Sequence, residues 1–255
     1  MNGGLGPPRP PAGQGARVEL IDDGGRLGLA IDGAVQSVAV AAGAPPSGYW
    51  PAMLPARPPR DALLLGLGGG TIAHLLVGAF GPLPIVGVDD DPAVLALGRE
   101  AFGLDLPNLE VVVADAFAYA ATCARRFDLV CVDLYRDGRI PARVCASPFL
   151  ASLRRLLRPG GTATFNLARD RSAPDRLRQL ARHFHVARRI LVGFNLVVHC
   201  ELDAADAPPP GEAGSRARNS AALESPRRRR DRSRRGRAGR AGSRSRGAAG
   251  GSIDD

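Results

Sequence analysis

The sequence predicts an α/β fold: a parallel sheet with crossover helices, ending in an antiparallel hairpin and preceded by a small β-meander. Three observations predict it. From Ala62 onward, short apolar runs alternate with helical segments, which implies right-handed crossovers and a parallel sheet. The runs are nearly continuous in apolar residues, as strands buried on both faces are. The last two, Val186–Val192 and Leu196–Glu201, are separated only by Gly193-Phe194-Asn195. That link is too short for a crossover, so the two strands pair antiparallel.

Residues 1–15 are Gly/Pro-rich without periodicity and read as disordered. Arg17–Ile21, Gly25–Ile31 and Ala34–Val40 read as strands of a meander spanning 16–44, with Asp23-Gly24-Gly25 and Asp32-Gly33 as hairpin turns. A Pro-rich stretch from Pro45 to Pro59 carries Tyr49, Trp50 and Met53 and opens the main domain, 45–202. There the pattern gives strand Ala62–Leu65, glycine loop Gly66–Gly70, helix Thr71–Phe80 and strand Pro84–Val88. Helix Pro92–Phe102 follows, with Asp91 placed as its N-cap and Pro92 in its first turn, where the missing N–H costs nothing. Next come strands Leu109–Val113 and Phe127–Val132. Helix Ser147–Leu157 is closed by Arg158-Pro159-Gly160-Gly161, then strand Thr162–Leu167 and helix Pro174–His183 lead to the final hairpin.

Every one of the 34 basic residues is Arg. A GC-rich genome accounts for this, because the bias runs through helices and tail alike. The net charge of +9 is uneven: residues 203–255 hold 13 Arg against 7 acids, leaving the body mildly basic. This tail, with Pro226-Arg227-Arg228-Arg229-Arg230, is too polar to fold alone and reads as disordered. It suits phosphate contact without sequence readout, so nonspecific nucleic-acid association stays open as an alternative role. The four cysteines form no CxxC and have no His at zinc spacing, so they read as buried free thiols and no metal is expected. His183 and His185 read as structural, and His74 and His199 as core or edge residues. No apolar run reaches the roughly 18 residues of a membrane span; a cytoplasmic protein without membrane contact is the expectation.

The acids fall where an open α/β sheet binds ligands, outside the carboxyl ends of its strands. Gly66, Gly68, Gly69 and Gly70 let backbone lie against a ligand at a helix N-terminus. Asp89 ends the second strand of the sheet and can accept both hydroxyl protons of a ribose. Asp115 ends the third and can accept from an adenine amino group, with Asp90 and Ala116 beside these two. Asp133 ends the fourth, where chemistry would occur, with Tyr135 beside it; Asn166 ends the fifth. NAD is the competing nucleotide, but its G-x-G-x-x-G pattern needs a glycine where Thr71 stands.

On these residues the chain resembles the spermidine synthase (polyamine aminopropyltransferase) group of the Rossmann-like, class I S-adenosylmethionine-dependent methyltransferase superfamily, over roughly Arg17 to Glu201. The resemblance is carried by Leu29-Ala30-Ile31-Asp32-Gly33-Ala34-Val35-Gln36, Tyr49, Met53, Leu63–Thr71, Val88–Pro92, Ala114–Phe117 and Phe127–Asp133. The meander before the sheet is its most specific element. The resemblance implies S-adenosylmethionine or its decarboxylated form as cofactor, with Asp89 on the ribose, Asp115 on the adenine, and Gln36 and Tyr49 on the substrate side. It also implies a small-molecule acceptor and a homodimer.

Two departures shape the expected reaction. The family's glycine loop carries an acid facing the aminopropyl ammonium, where this chain has Gly69. The family's acidic pair after the fourth strand becomes Asp133-Leu134-Tyr135-Arg136, with Arg at the second acid's position. Arg cannot act as the base an attacking amine needs. The sequence therefore favours methyl transfer to a small acceptor, with Asp133 and Tyr135 near the reacting atoms. Aminopropyl transfer and a non-catalytic cofactor-binding module are the alternatives.

Overall fold

A computed structural model describes residues 17–41, 46–136 and 139–203. The expected disordered termini at 1–15 and 204–255, the Arg-rich run included, lie outside them, as do Asp137 and Gly138.

The meander is β1 (Val18–Asp22), β2 (Leu27–Ile31) and β3 (Ala34–Val38), paired antiparallel in that order. Asp32 and Gly33 both take positive φ, 50° and 76°, which suits a tight two-residue turn whose twist matches that of its strands. The main sheet has seven strands: β4 (Ala62–Leu65), β5 (Ile85–Asp89), β6 (Leu109–Val113), β7 (Phe127–Val132), β8 (Leu157–Ala168), β9 (His185–Val192) and β10 (Asn195–Glu201). Their spatial order is β6-β5-β4-β7-β8-β10-β9, with β10 antiparallel to both neighbours and the other pairings parallel. The terminal hairpin is therefore as expected.

The five helices are α1 (Thr71–Phe80), α2 (Pro92–Phe102), α3 (Ala116–Thr122), α4 (Ser147–Leu156) and α5 (Ala173–Ala181). Asp91 caps α2, accepting from the Ala93 and Val94 N–H groups at 2.9 and 3.3 Å. The short helix α3 is absent from the sequence expectation. Its N-cap is Asp115, whose carboxylate accepts from the Ala118 N–H at 2.9 Å, so a residue read as a ligand acid also starts a helix.

Strand β8 differs from expectation in a second way. Pairing starts at Leu157, opposite Phe127, and resumes at Thr162 opposite Leu129 after a register shift. Gly160 donates to Leu202 O and Leu202 to Gly161 O. The Pro-Gly-Gly segment thus stays in the sheet as a bulge, because its backbone groups find partners there.

Both sheet faces are covered. Leu63 and Leu65 point into one core with Phe149, Leu150 and Leu153 of α4; Ala62 and Leu64 point into the other with Ile72 and Leu76 of α1 and with Trp50 and Met53. The alternation follows from the period-2 geometry of a strand. Val38 of the meander joins that second core, and Leu29 packs with Val94 and Phe102 of α2. Cys131, Cys145 and Cys200 are buried free thiols, and burial pushes Cys131 up to about 12. Cys123 is free but only half-buried, a correction to the expectation of four buried thiols. His183 faces the Ser147 hydroxyl at 3.2 Å and His199 the Ala52 carbonyl at 2.7 Å, structural placements in both cases.

The amino ends of β4 and β7 are tied by ions. Arg158 grips Asp61 at 2.6 and 2.7 Å and Asp128 at 2.9 Å, and Arg60 adds two side-chain bonds to Asp128. These bonds, led by that from Arg60, hold Asp128 well below the usual carboxylate range. A depressed folded-state pKa contributes stability above the unfolded value of about 4 and loses it as pH falls below that. Asp128→Asn is expected to cost about 1–3 kcal/mol at neutral pH. Chemical denaturation from pH 7 to pH 3 should show the gap between wild type and variant narrowing as the pH drops.

Candidate functional site

Strand β4 pairs with β5 on one side and β7 on the other, so the loops leaving their carboxyl ends turn apart and open a crevice. Gly66 leaves β4 at that point with φ 90°. A Cβ there would lie 2.1 Å from the Asp133 carbonyl oxygen, so only glycine can pass. The Asp133 N–H extends the β4–β7 ladder, donating to Leu65 O at 2.9 Å. Backbone pairing thereby aims the Asp133 side chain out of the sheet into the crevice.

Three side chains meet there. The Tyr49 hydroxyl donates to the Asp133 carboxylate, 3.1 and 2.9 Å from its two oxygens, and Asn166 Nδ2 donates to Oδ1 at 2.9 Å. Burial raises Asp133 to about 6; these bonds pull it down, and Asp89 pushes it up slightly. Burial, with the Asp133 charge beside it, raises Tyr49 well above its usual value. Tyr49 therefore stays a neutral donor, while Asp133 titrates near neutrality. Asn166 presents its amide N–H to the carboxylate, which leaves its buried Oδ1 without a hydrogen-bond partner among the described residues. That oxygen can receive a donor from a ligand.

Two cavities meet this group: Asp133 lines the first, and Tyr49 and Asn166 line the second. The first is lined by Gly66, Asp89, Asp90, Asp115, Ala116, Phe117, Asp133, Leu134, Tyr135, Arg136 and Arg143. Asp89 is fixed by the N–H groups of Gly68 (2.8 Å) and Asp91 (3.1 Å), and burial is the main cause of its raised pKa. Asp90 pairs with Arg136, and Asp115 with Arg143 at 3.1 Å. Arg143 also lies 3.9 Å above the Phe117 ring. Asp89 and Asp133 are held by neutral donors, so their charges face the cavity uncompensated by those arginines. This suits a ligand that carries positive charge at the Asp89–Asp133 end of the cavity. The second cavity is lined by Gln36, Tyr49, Tyr135, Arg139, Asn166, Asp170, Arg176, Phe194 and Asn195, among others. Tyr135 lines both cavities and is 44% exposed.

The structure thus gathers Asp89, Asp90, Asp115, Ala116, Asp133 and Tyr135 around one cavity and Gln36, Tyr49, Tyr135 and Asn166 around the other. Gly68 lines a small cleft with Gln36, Ser37, Gly66 and Asp133. Gly69 and Gly70 line none of the described cavities. A Cβ at Gly70 would meet Leu104 at 2.4 Å; one at Gly69 would meet Ser37 Cβ at 3.0 Å and Phe102 at 3.4 Å. Their lack of a side chain serves packing here: the loop lies against the meander, and its Gly69 N–H donates to Ser37 Oγ at 2.7 Å. Sequence reasoning missed Ser37, Phe117, Arg139, Arg143, Asp170 and Arg176. Ser37 stands next to Gln36 and Phe117 next to Ala116, so both could have been flagged by position; the others carry no local pattern, because separate loops bring them together. Among the described residues no group of three His, Cys, Asp or Glu is arranged to hold a metal, and no helix is long and apolar enough to cross a membrane.

Residues 62–161 match the family described as methyltransferase domain. A polyamine aminopropyltransferase of Mycobacterium tuberculosis is 37% identical over 126 residues, covering 45% of this chain and 24% of that protein. The chain spans about a quarter of the length of the Bifidobacterium and Mycobacterium relatives it matches, and 47% of a polyamine aminopropyltransferase of Hyperthermus butylicus. The structure of a probable spermidine synthase from Corynebacterium glutamicum superposes with TM-score 0.64 at 20% identity, over 73% of this chain and 77% of that one. Human methyltransferase-like protein 13 in complex with SAH superposes with TM-score 0.53 at 26% identity, over 59% and 75%.

A side chain at position 69, where the resembled family carries an acid, would crowd Ser37 and Phe102. Gly69→Ala is expected to destabilise by about 1–3 kcal/mol. Combining it with Ser37→Gly should cost less than the two separate penalties added together. Denaturant melts of the four proteins in the cycle check this, and strict additivity would refute the contact.

Proposed function

We propose that this chain, a spermidine-synthase-like protein of the class I methyltransferase fold, transfers an alkyl group from a sulfonium nucleoside to an amine, with aminopropyl transfer as the leading reading. One observation carries it: a buried carboxylate, Asp133, lines one cavity, and the two side chains that hold it, Tyr49 and Asn166, line a second. The names of the polyamine aminopropyltransferase relatives support the aminopropyl form over the methyl form favoured by sequence. As those relatives are matched over a minor part of their length, this remains our reading.

The bound donor, decarboxylated S-adenosylmethionine, would supply an electrophilic carbon next to a sulfonium. The chain does the rest. Asp89 and the Gly66–Gly68 backbone would hold the ribose end, with Asp115, Ala116 and Phe117 at the base. In the second cavity, Asn166 Oδ1 accepts an amine N–H and turns the nitrogen lone pair toward the first. As the new N–C bond forms, the C–S bond breaks and its electron pair stays on sulfur, giving a neutral thioether. The amine proton goes to Asp133, whose carboxylate is ionised above about 6. Tyr49 cannot take that proton, since its own pKa is raised; it fixes the carboxylate's orientation.

Methyl transfer from S-adenosylmethionine stays as the second reading because of Gly69. No loop acid stands there for a pendant ammonium, and Arg136, paired with Asp90, replaces the second acid. Titration calorimetry with both donors separates the two, and binding of neither, matched by a silent Asp89→Ala variant, would leave only a non-catalytic module.

Asp133→Asn is expected to lower kcat about 10²- to 10⁴-fold. Asp133 must be ionised to act, so wild-type kcat/KM should rise with pH through about 6. The variant should lack that limb and keep only the more alkaline rise from the amine's own titration. A wild-type profile flat between pH 5 and 7 would remove Asp133 from the base role.

A further inference from the structure

We infer that the acceptor is an aliphatic amine carrying a carboxylate at its other end, and that Arg139 receives that carboxylate. The inference rests on the amine-transfer reading and names the acceptor class within it.

The argument is an inventory of charge around the second cavity. Near the reacting centre its wall carries Asn166, whose buried Oδ1 has no hydrogen-bond partner among the described residues and whose amide holds the Asp133 carboxylate behind it. Further along β8 the polarity reverses. The Asp170 carboxylate is the only acid among the described lining residues of this cavity, and it is already engaged. Arg176 grips its two oxygens at 2.9 and 3.0 Å, and the Ser172 N–H adds a bond at 2.8 Å. These bonds, led by Arg176, hold Asp170 below its usual pKa. Arg176 is committed too, since it also donates to Ala168 O at 3.1 Å.

Arg139 is the remaining charge among the described lining residues. It is exposed and forms no ion pair among the described residues. Its position is fixed by two backbone bonds between Arg136 and Arg139, at 2.8 and 2.9 Å, which close the loop after β7. A diamine reaching across this cavity would set its second ammonium against a guanidinium that has no ion-pair partner among the described residues, with no free carboxylate among the described lining residues to meet it. An amino-carboxylate would match the wall at both ends: amine at Asn166 and Asp133, carboxylate on the planar fork of Arg139.

The test compares 1,4-diaminobutane with 4-aminobutanoate, equal in chain length and different in terminal charge. The full chain is first saturated with 5′-methylthioadenosine or S-adenosylhomocysteine, and each amine is then titrated calorimetrically. Wild type is expected to bind 4-aminobutanoate about tenfold more tightly. Arg139→Gln should erase the preference and Arg139→Glu should reverse it, with nucleoside affinity unchanged in both. The inference is overturned if the diamine binds as well or better, if the preference survives Arg139→Glu, or if the loaded protein takes neither amine. Failure of the underlying reading shows earlier and separately, as absence of nucleoside binding; diamine preference in a nucleoside-loaded protein would sink this inference alone.

Discussion

The close passage of Gly66 under the Asp133 carbonyl, where a Cβ would come within 2.1 Å, fixes the geometry of everything around it. At this point β4 and β7 stop being neighbours in a ladder and become the two lips of a crevice. Their last shared bond, from Asp133 N–H to Leu65 O, sets where the Asp133 side chain emerges. Tyr49 and Asn166 reach it from a Pro-rich connection and from β8, so three segments distant in sequence converge on one carboxylate. The convergence needs the sheet to be rigid, and the ion cluster of Asp61, Asp128, Arg60 and Arg158 ties β4 and β7 at their opposite ends.

The meander belongs to the same construction. Thr71 opens α1, and its hydroxyl both donates to Val38 O and accepts from the Val38 N–H, each at 2.9 Å. One residue earlier in β3, Ser37 accepts from the loop at Gly69. The three-strand sheet is thereby fastened to the glycine loop by three hydrogen bonds, and Gln36 is carried to the edge of both the small cleft and the second cavity. A glycine run that looks in sequence like a ligand cradle is in part a packing surface for the meander.

This division explains what the sequence could and could not disclose. Strands β4 to β7 and helices α1 and α2 were legible because apolar runs and Asp91-Pro92 are local signals. Asp89, Asp115 and Asp133 were legible because each follows a strand. Helix α3 was not, because its start signal, Asp115, had been assigned to a ligand and its body is only seven residues long. The β8 bulge was not, because Pro159-Gly160-Gly161 reads locally as a stop; its backbone partner Leu202 lies some forty positions away. The two ion pairs across the first cavity, Arg136 with Asp90 and Arg143 with Asp115, join separate loops and leave no trace in spacing.

The replacement of an acid by Arg136 then has a physical consequence beyond the loss of a base. Arg136 and Arg143 pair with Asp90 and Asp115 of the first cavity, and Asp89 and Asp133 are left without an arginine partner there. Negative potential is concentrated at the reacting end rather than spread along the cavity. A donor tail reaching the mouth of the small cleft meets Gln36 and Ser37, both neutral, with Asp133 as the one acid among its described lining residues. An ammonium there would compete with the transferred proton for the same carboxylate, whereas a tail with ammonium and carboxylate together would leave Asp133 less perturbed. The donor's charge and the base's availability are therefore coupled through a single side chain, and Asp133 is where the two readings of the reaction make opposite demands.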